Sequence, residues 1–166
     1  MEIIIGKTAG FCFGVQNAVT KAKKALETEK VCCLGELVHN HEVTKDLENH
    51  GLEFITKIEE ASKSVIIRSH GESKKTYEKA KENNIKIIDL TCPKVLKIHE
   101  IVTEYSNKKY YIFLIGKNSH PETIATKSYC GENYTVIEEI EDIQNALKTF
   151  EESRIKRFIN NIANNI

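Results

Sequence analysis

Short apolar runs alternate along this chain with stretches whose apolar residues recur at helical spacing, and that alternation restricts the fold more than any other feature. Ile3 to Ile5 is a continuous apolar run of the kind expected for a strand buried on both faces. Gly6 to Gly14 follows as a loop, and Val15, Ala18, Val19, Ala22, Ala25 and Leu26 then fall on one face of a helix. Val31 to Leu34 returns to strand character and completes a βαβ unit. A helix-compatible stretch from Glu42 to His50 ends at Gly51, a residue type suited to the position just past a helix. Strands at Leu52 to Ile55, Ser64 to Arg68 and Ile85 to Leu90 enclose a charged helix at Glu72 to Glu82. A helix carrying Val95, Leu96, Ile98, Ile101 and Val102 leads into a strand at Tyr110 to Ile115. Shorter elements follow: a helix near Thr123 to Ser128, a strand at Tyr134 to Ile137 and a helix at Asp142 to Leu147. Strands alternating with helices of this length predict an α/β fold of repeated small parallel units. Two units are expected, residues 1–91 and a partial second unit over 92–150, followed by a tail at 151–166 that reads as neither a capped helix nor a further βαβ element. On that reading the chain stops in mid-domain.

The 24 basic and 24 acidic side chains leave a formal net charge of zero. A dedicated binder of nucleic acid or anionic membrane carries a basic surplus, so neither partner is expected. No apolar run reaches the roughly 18 residues of a membrane span, and the N-terminus lacks the basic and apolar regions of a signal peptide. A cytoplasmic location follows as the expectation. Five cysteines in such a chain point to reduced thiols, a metal or a cluster rather than to disulfides.

Reactive residues recur at one kind of place, the loop after a strand. Cys12, His39, His70, Cys92 and His120 each follow a predicted strand. Ligands of open α/β sheets bind outside the carboxyl ends of the strands, so these five residues are expected to face one cleft. Cys12 lies in Gly10-Phe11-Cys12-Phe13-Gly14 and Cys92 in Thr91-Cys92-Pro93, each just ahead of a helix, where a thiolate or a bound anion is favoured. Cys32 and Cys33 sit within an apolar strand and read as core, and Cys130 reads as structural. The histidines suit either a polyanion or zinc, while His41, His50 and His99 fall in polar helical settings and are expected to be solvated. Glu122, directly after His120-Pro121, is a candidate proton donor or a first-turn acid that favours the helix dipole. The glycine loop fits neither GxGxxG nor GxxxxGK[ST], which removes the warrant for a dinucleotide or a P-loop.

Five motifs in order carry a family resemblance: Gly10-Phe11-Cys12-Phe13-Gly14-Val15, Leu37-Val38-His39-Asn40, Arg68-Ser69-His70-Gly71, Asp89-Leu90-Thr91-Cys92-Pro93 and Ser119-His120-Pro121-Glu122. They resemble the N-terminal half of the 4-hydroxy-3-methylbut-2-enyl diphosphate reductase family, the iron-sulfur enzymes that end the non-mevalonate isoprenoid pathway. The resemblance implies three α/β units in a trefoil around a 4Fe-4S cluster, of which this chain holds about one and a half. Cys12 and Cys92 would be two of the three cluster cysteines, and His39, His70 and His120 would enclose the diphosphate of the allylic substrate. Glu122 would supply protons. The implied reaction is a two-electron reductive dehydroxylation to isopentenyl and dimethylallyl diphosphates, with a ferredoxin or flavodoxin as electron donor.

The family's third cluster cysteine and its later substrate-binding motifs find no counterpart here, and from about Glu151 the tail departs from the pattern. A truncated or frame-shifted product is therefore expected, one that binds the cluster poorly and is weakly active or inactive alone. The alternative is a zinc-binding or regulatory α/β module without redox chemistry.

Overall fold

The structure, a computed structural model, describes residues 2–4, 6 and 9–163, with side chains described as far as residue 157. The chain divides into two units: Met1–Gly71 with Glu78–Pro93, and Glu72–Tyr77 with Lys94–Ile166.

The first unit contains α1 (Phe13–Thr28), β1 (Cys32–Leu34), α2 (His41–Asn49), β2 (Glu53–Ile55), a 3-10 turn (Ile58–Glu60), β3 (Ser64–Ile67), the later part of α3 (Lys74–Glu82) and β4 (Lys86–Asp89). Its four strands form one parallel sheet in the order β2-β1-β3-β4. The central strands Cys32-Cys33-Leu34 and Ser64-Val65-Ile66-Ile67 are buried along their whole length, as strands covered on both faces must be, while the edge strand β2 runs from exposed to buried and the edge strand β4 is half-buried at its centre and exposed at both ends. Ala18 and Ala22 of α1 are buried in the same cluster as Cys33, Leu47 and Ile66, and their small side chains let the helix approach closely. Local chemistry sets the ends of α2. The Asn40 side chain accepts from the Val43 N–H at 3.1 Å, and Gly51 at φ +90° lets the Leu52 N–H reach back to the Leu47 carbonyl.

The second unit contains the start of α3, α4 (Pro93–Asn107, joined through Pro93), β5 (Ile112–Ile115), α5 (Pro121–Lys127), β6 (Tyr134–Ile137) and α6 (Asp142–Ala163). Its strands β5 and β6 form a two-stranded parallel sheet. Tyr111, Phe113 and Phe150 of α6 cluster with ring centroids 5.2 to 5.8 Å apart.

Three expectations are corrected. Ile3 and Ile4 belong to no strand and are 75% and 83% exposed, while Ile5 lies outside the described residues. An apolar triplet becomes a strand only where a neighbouring strand accepts its hydrogen bonds, and among the described residues Glu2 to Ile4 pair with none. The helix expected to end at Leu147 continues to Ala163, since no glycine or proline interrupts residues 142–163. His99, expected to be solvated, is buried and stacks on Tyr129 at a centroid distance of 4.1 Å.

Candidate functional site

Cys12 is the N-cap residue of α1: its backbone is extended, its carbonyl accepts the Gln16 N–H, and its thiol makes no capping bond. That thiol is exposed. Cys92 is half-buried and stands immediately ahead of α4. Its N–H donates to the Ser69 carbonyl at 2.9 Å, so the loop after β4 is tied to the loop after its neighbour β3. The turn that presents Cys92 is held by Asp89, whose Oδ1 accepts the Thr91 N–H at 2.9 Å and the Thr91 hydroxyl at 2.5 Å. The two thiols converge beside Gly14. A Cβ built there would lie 2.9 Å from Cys92 Sγ and 4.0 Å from Cys12 Sγ, so both sulfurs stand within 4.0 Å of one point.

His39 and His70 meet at the same end of the sheet. Leu34 and Ile67 are register partners in β1 and β3, and the loops after them bring the two imidazoles to a centroid distance of 4.4 Å. Ser69 fastens those loops together: its N–H and its hydroxyl both donate to the Leu37 carbonyl, at 3.3 and 3.0 Å. Arg68 lies across the β1 loop beside Gly35, whose φ of +70° and lack of a Cβ leave room for the guanidinium. Glu36 approaches His39 Nδ1 at 3.9 Å and would pair with it when the imidazole is protonated.

His120 and Glu122 belong to the second unit. His120 is the N-cap of α5, with its Nδ1 accepting the Glu122 N–H at 3.3 Å, and Pro121 occupies the first turn. In this bond Nδ1 carries no proton, which leaves Nε2 as the donor. Glu122 is half-buried.

The remaining cysteines are core. Cys32 and Cys33 are buried in β1, and burial raises the Cys32 thiol above its ordinary value. Burial likewise pushes the Cys130 thiol up to about 11, so it stays protonated and unreactive. Among the described residues, no group of three or more His, Cys, Asp or Glu side chains is placed to hold a metal ion. The donor set that does converge, two thiols at helix N-termini with a glycine clearing the space between them, fits two ligand positions of an iron-sulfur centre. Among the described residues, no helix is long and apolar enough to cross a membrane.

Ser69, Asp89 and Gly14 shape this site; all three stand in the motifs quoted from the sequence, Gly14 as a glycine flanking Cys12 that allows close backbone approach, but no role was read there for Ser69 or Asp89. Asp89-Leu90-Thr91 has the spacing of an Asx turn and offered a signal for one of them.

The pattern of the family described as LytB protein matches residues 3–162. The chain belongs to the LytB protein family. It is 42% identical over 153 residues to the 4-hydroxy-3-methylbut-2-enyl diphosphate reductase of Caldanaerobacter subterraneus subsp. tengcongensis, covering 87% of this chain and 53% of that relative. The corresponding protein of Aquifex aeolicus is 40% identical over 155 residues, covering 89% and 53%. A solved structure of the reductase, described as the terminal enzyme of the non-mevalonate pathway, aligns with a TM-score of 0.76 at 40% identity over 88% of this chain and 54% of its own. The Plasmodium falciparum reductase structure aligns with a TM-score of 0.80 at 31% identity over 83% and 45%. The chain thus spans about half the length of the curated relatives it matches. The family match extends through residue 162, past the last motif quoted above.

Proposed function

We propose that this chain carries part of the active centre of a 4-hydroxy-3-methylbut-2-enyl diphosphate reductase acting in the cytoplasm. The observation that supports this reading most is the convergence of Cys12 and Cys92 at the end of the sheet where His39 and His70 also meet, in a chain 42% identical to such a reductase. In this reading Cys12 and Cys92 are two thiolate ligands of a 4Fe-4S cluster, which when bound supplies electrons received from a ferredoxin or flavodoxin. Two electrons and two protons replace the substrate's allylic C–OH by C–H and release water. His39 and His70 donate hydrogen bonds to the diphosphate, and a protonated imidazole makes such bonds stronger than neutral ones. His120 donates through Nε2 to the same substrate, and Glu122 delivers a proton to the departing hydroxyl. Two thiolates hold a cluster weakly, so this chain alone retains substoichiometric iron and turns substrate over slowly.

Anaerobic purification with iron, zinc and sulfide analysis and a visible spectrum tests the reading. Iron and sulfide with broad visible absorption are expected, and both should fall in Cys12→Ala and in Cys92→Ala. A colourless protein holding zinc would overturn it, as would iron that persists in both variants. Pyrophosphate binding should weaken in His39→Ala and in His70→Ala, and equal binding in all three proteins would remove the histidines from the substrate site.

A further inference from the structure

We propose that Gly14 is a positioning residue whose missing side chain allows the Cys12 and Cys92 thiols to converge on one thiophilic centre. This rests on the reading of those thiols as ligands. Gly14 is the second residue of α1, and it is not among the residues with positive φ, so its backbone would accept any L-residue. A glycine in a helix is less favourable than an alanine, and no turn demands it here. What surrounds it is sulfur. Its virtual Cβ meets Cys92 Sγ at 2.9 Å, inside any tolerable carbon–sulfur contact, whereas Cys92 Cβ at 3.6 Å and Cys12 Sγ at 4.0 Å are ordinary neighbours. Gly6, Gly10 and Gly51 have nothing within 4 Å, and the close neighbours of Gly35, Gly116 and Gly131 are the side chains of Arg68, Thr123 and Ser106. Among these glycines, the thiol contact is peculiar to Gly14. Since the clash involves only the thiol of Cys92, an alanine at position 14 would be relieved by rotating Sγ away, which takes it out of reach of a centre shared with Cys12.

The test compares the native chain with Gly14→Ala, Cys12→Ala, Cys92→Ala and the double variant Gly14→Ala/Cys92→Ala. The probe is phenylarsine oxide, whose arsenic joins two thiols and releases water, counted by intact mass as the part of the capture that disappears in Cys12→Ala. Affinity is expected to fall about tenfold in Gly14→Ala, the size of effect that overpacking by one methyl produces. Iron uptake should fall in parallel. Melting temperature gives an independent readout. Gly14→Ala should raise it when Cys92 is already alanine, because only the ordinary contacts at 3.6 and 4.0 Å remain, and should fail to raise it in the native background. If Gly14→Ala does not fold, a folded double variant still supports the clash, and a double variant that also fails to fold overturns it. Undiminished capture in Gly14→Ala, or no Cys12-dependent capture in the native chain, would likewise overturn the proposal. If capture depends on Gly14 but no variant or native protein takes up iron, the proposal stands and the cluster reading fails. If iron is retained equally with alanine at position 14, the cluster reading stands and the proposal falls.

Discussion

The two units solve the same architectural problem to different degrees. In the first, β1 and β3 have a neighbour on each side and are buried throughout, and Val65, Ile66 and Ile67 are each 0% exposed. In the second, among the described residues, β5 and β6 pair only with each other. Along β5 the burial alternates between intermediate and exposed, and Ile115 is 82% exposed. Both sheets are parallel, and parallel sheets bury both faces when complete. Similar apolar sequences thus reach different burial because four strands supply neighbours that two do not. A two-stranded sheet is marginal on its own and leans on the helices packed against it, here through Phe150 of α6 beside Tyr111 and Phe113. The cysteine pair and the histidine pair stand on the better-supported sheet, where precise placement is least expensive to maintain.

Core truncation should separate the units most sharply. Ile66→Ala removes a fully buried side chain from a central strand and should cost about 2–5 kcal/mol. Phe113→Ala removes a ring that is 39% exposed, and about 1 kcal/mol is expected because part of its area never leaves water. Urea unfolding followed by hydrogen exchange resolved by peptide measures both. Equal costs would mean that the second unit is as well packed in solution as the first, and would break the comparison.

The same contrast explains what could be read in advance. The central strands were legible because residues buried on both faces leave an uninterrupted apolar run, and the end of α2 was legible because Gly51 carries a local signal. Ile3 and Ile4 look in sequence like Val65 and Ile66, yet they are exposed: a run of letters records apolarity but not whether a partner strand is present. His99 was misread for a related reason, since its partner Tyr129 lies 30 residues away and nothing beside it in sequence announces the stack. At the site, His39, His70, Cys92 and His120 stood out by chemistry and by position after strands, and Cys12 by chemistry and its place ahead of a helix, since the strand expected before it does not form at Ile3 and Ile4. Of the residues that aim them, Ser69 did not stand out, because it acts through bonds to Leu37 and Cys92, and Gly14 showed only as a glycine flanking Cys12, since the Cys92 thiol it makes room for lies far along the chain.

Helix caps give a smaller contrast. Asn40 caps α2 in the first unit with a 3.1 Å bond, and His120 caps α5 in the second with a longer bond of 3.3 Å. Asn40→Ala should cost about 1 kcal/mol. His120→Ala should cost less, since imidazole is not among the favoured N-cap groups and its bond is exposed. Thermal melts of the two variants decide the order, and a larger loss from His120→Ala would show that α5 contributes more to its unit than its seven residues suggest.

Acid should narrow the gap between the units, with the smallest effect of the series. In the first unit, lysines tie carboxylates across elements: Lys23 of α1 to Asp46 of α2, Lys79 of α3 to Glu59 of the 3-10 turn, and Lys86 of β4 to Glu29 at the end of α1, which also accepts from Ser64 of β3. A hydrogen bond from the paired lysine is the main cause holding Asp46, Glu59 and Glu29 below the ordinary carboxylate range. In the second unit the lowered groups act locally. Glu104 in the last turn of α4 pairs with Lys108 just past its end, and Asp142 accepts from the N–H groups of Glu139 and Glu138. A carboxylate whose folded pKa is lowered stabilises fully above its unfolded pKa, and that contribution is lost as pH falls through the folded value. The window therefore opens near pH 4 and extends below it. These groups are solvent-exposed, so each loss is small and shrinks further in salt. Lowering the pH should raise exchange rates, corrected for intrinsic chemistry, more in β3 and β4 than in β5 and β6, because among the described residues the carboxylates held low by lysines of another element belong to the first unit. Asp46→Asn should reproduce part of that change at neutral pH. If the second unit loosens equally on acidification, the ion pairs that cross elements confer no more than local ones, and the contrast between the units lies in apolar burial alone.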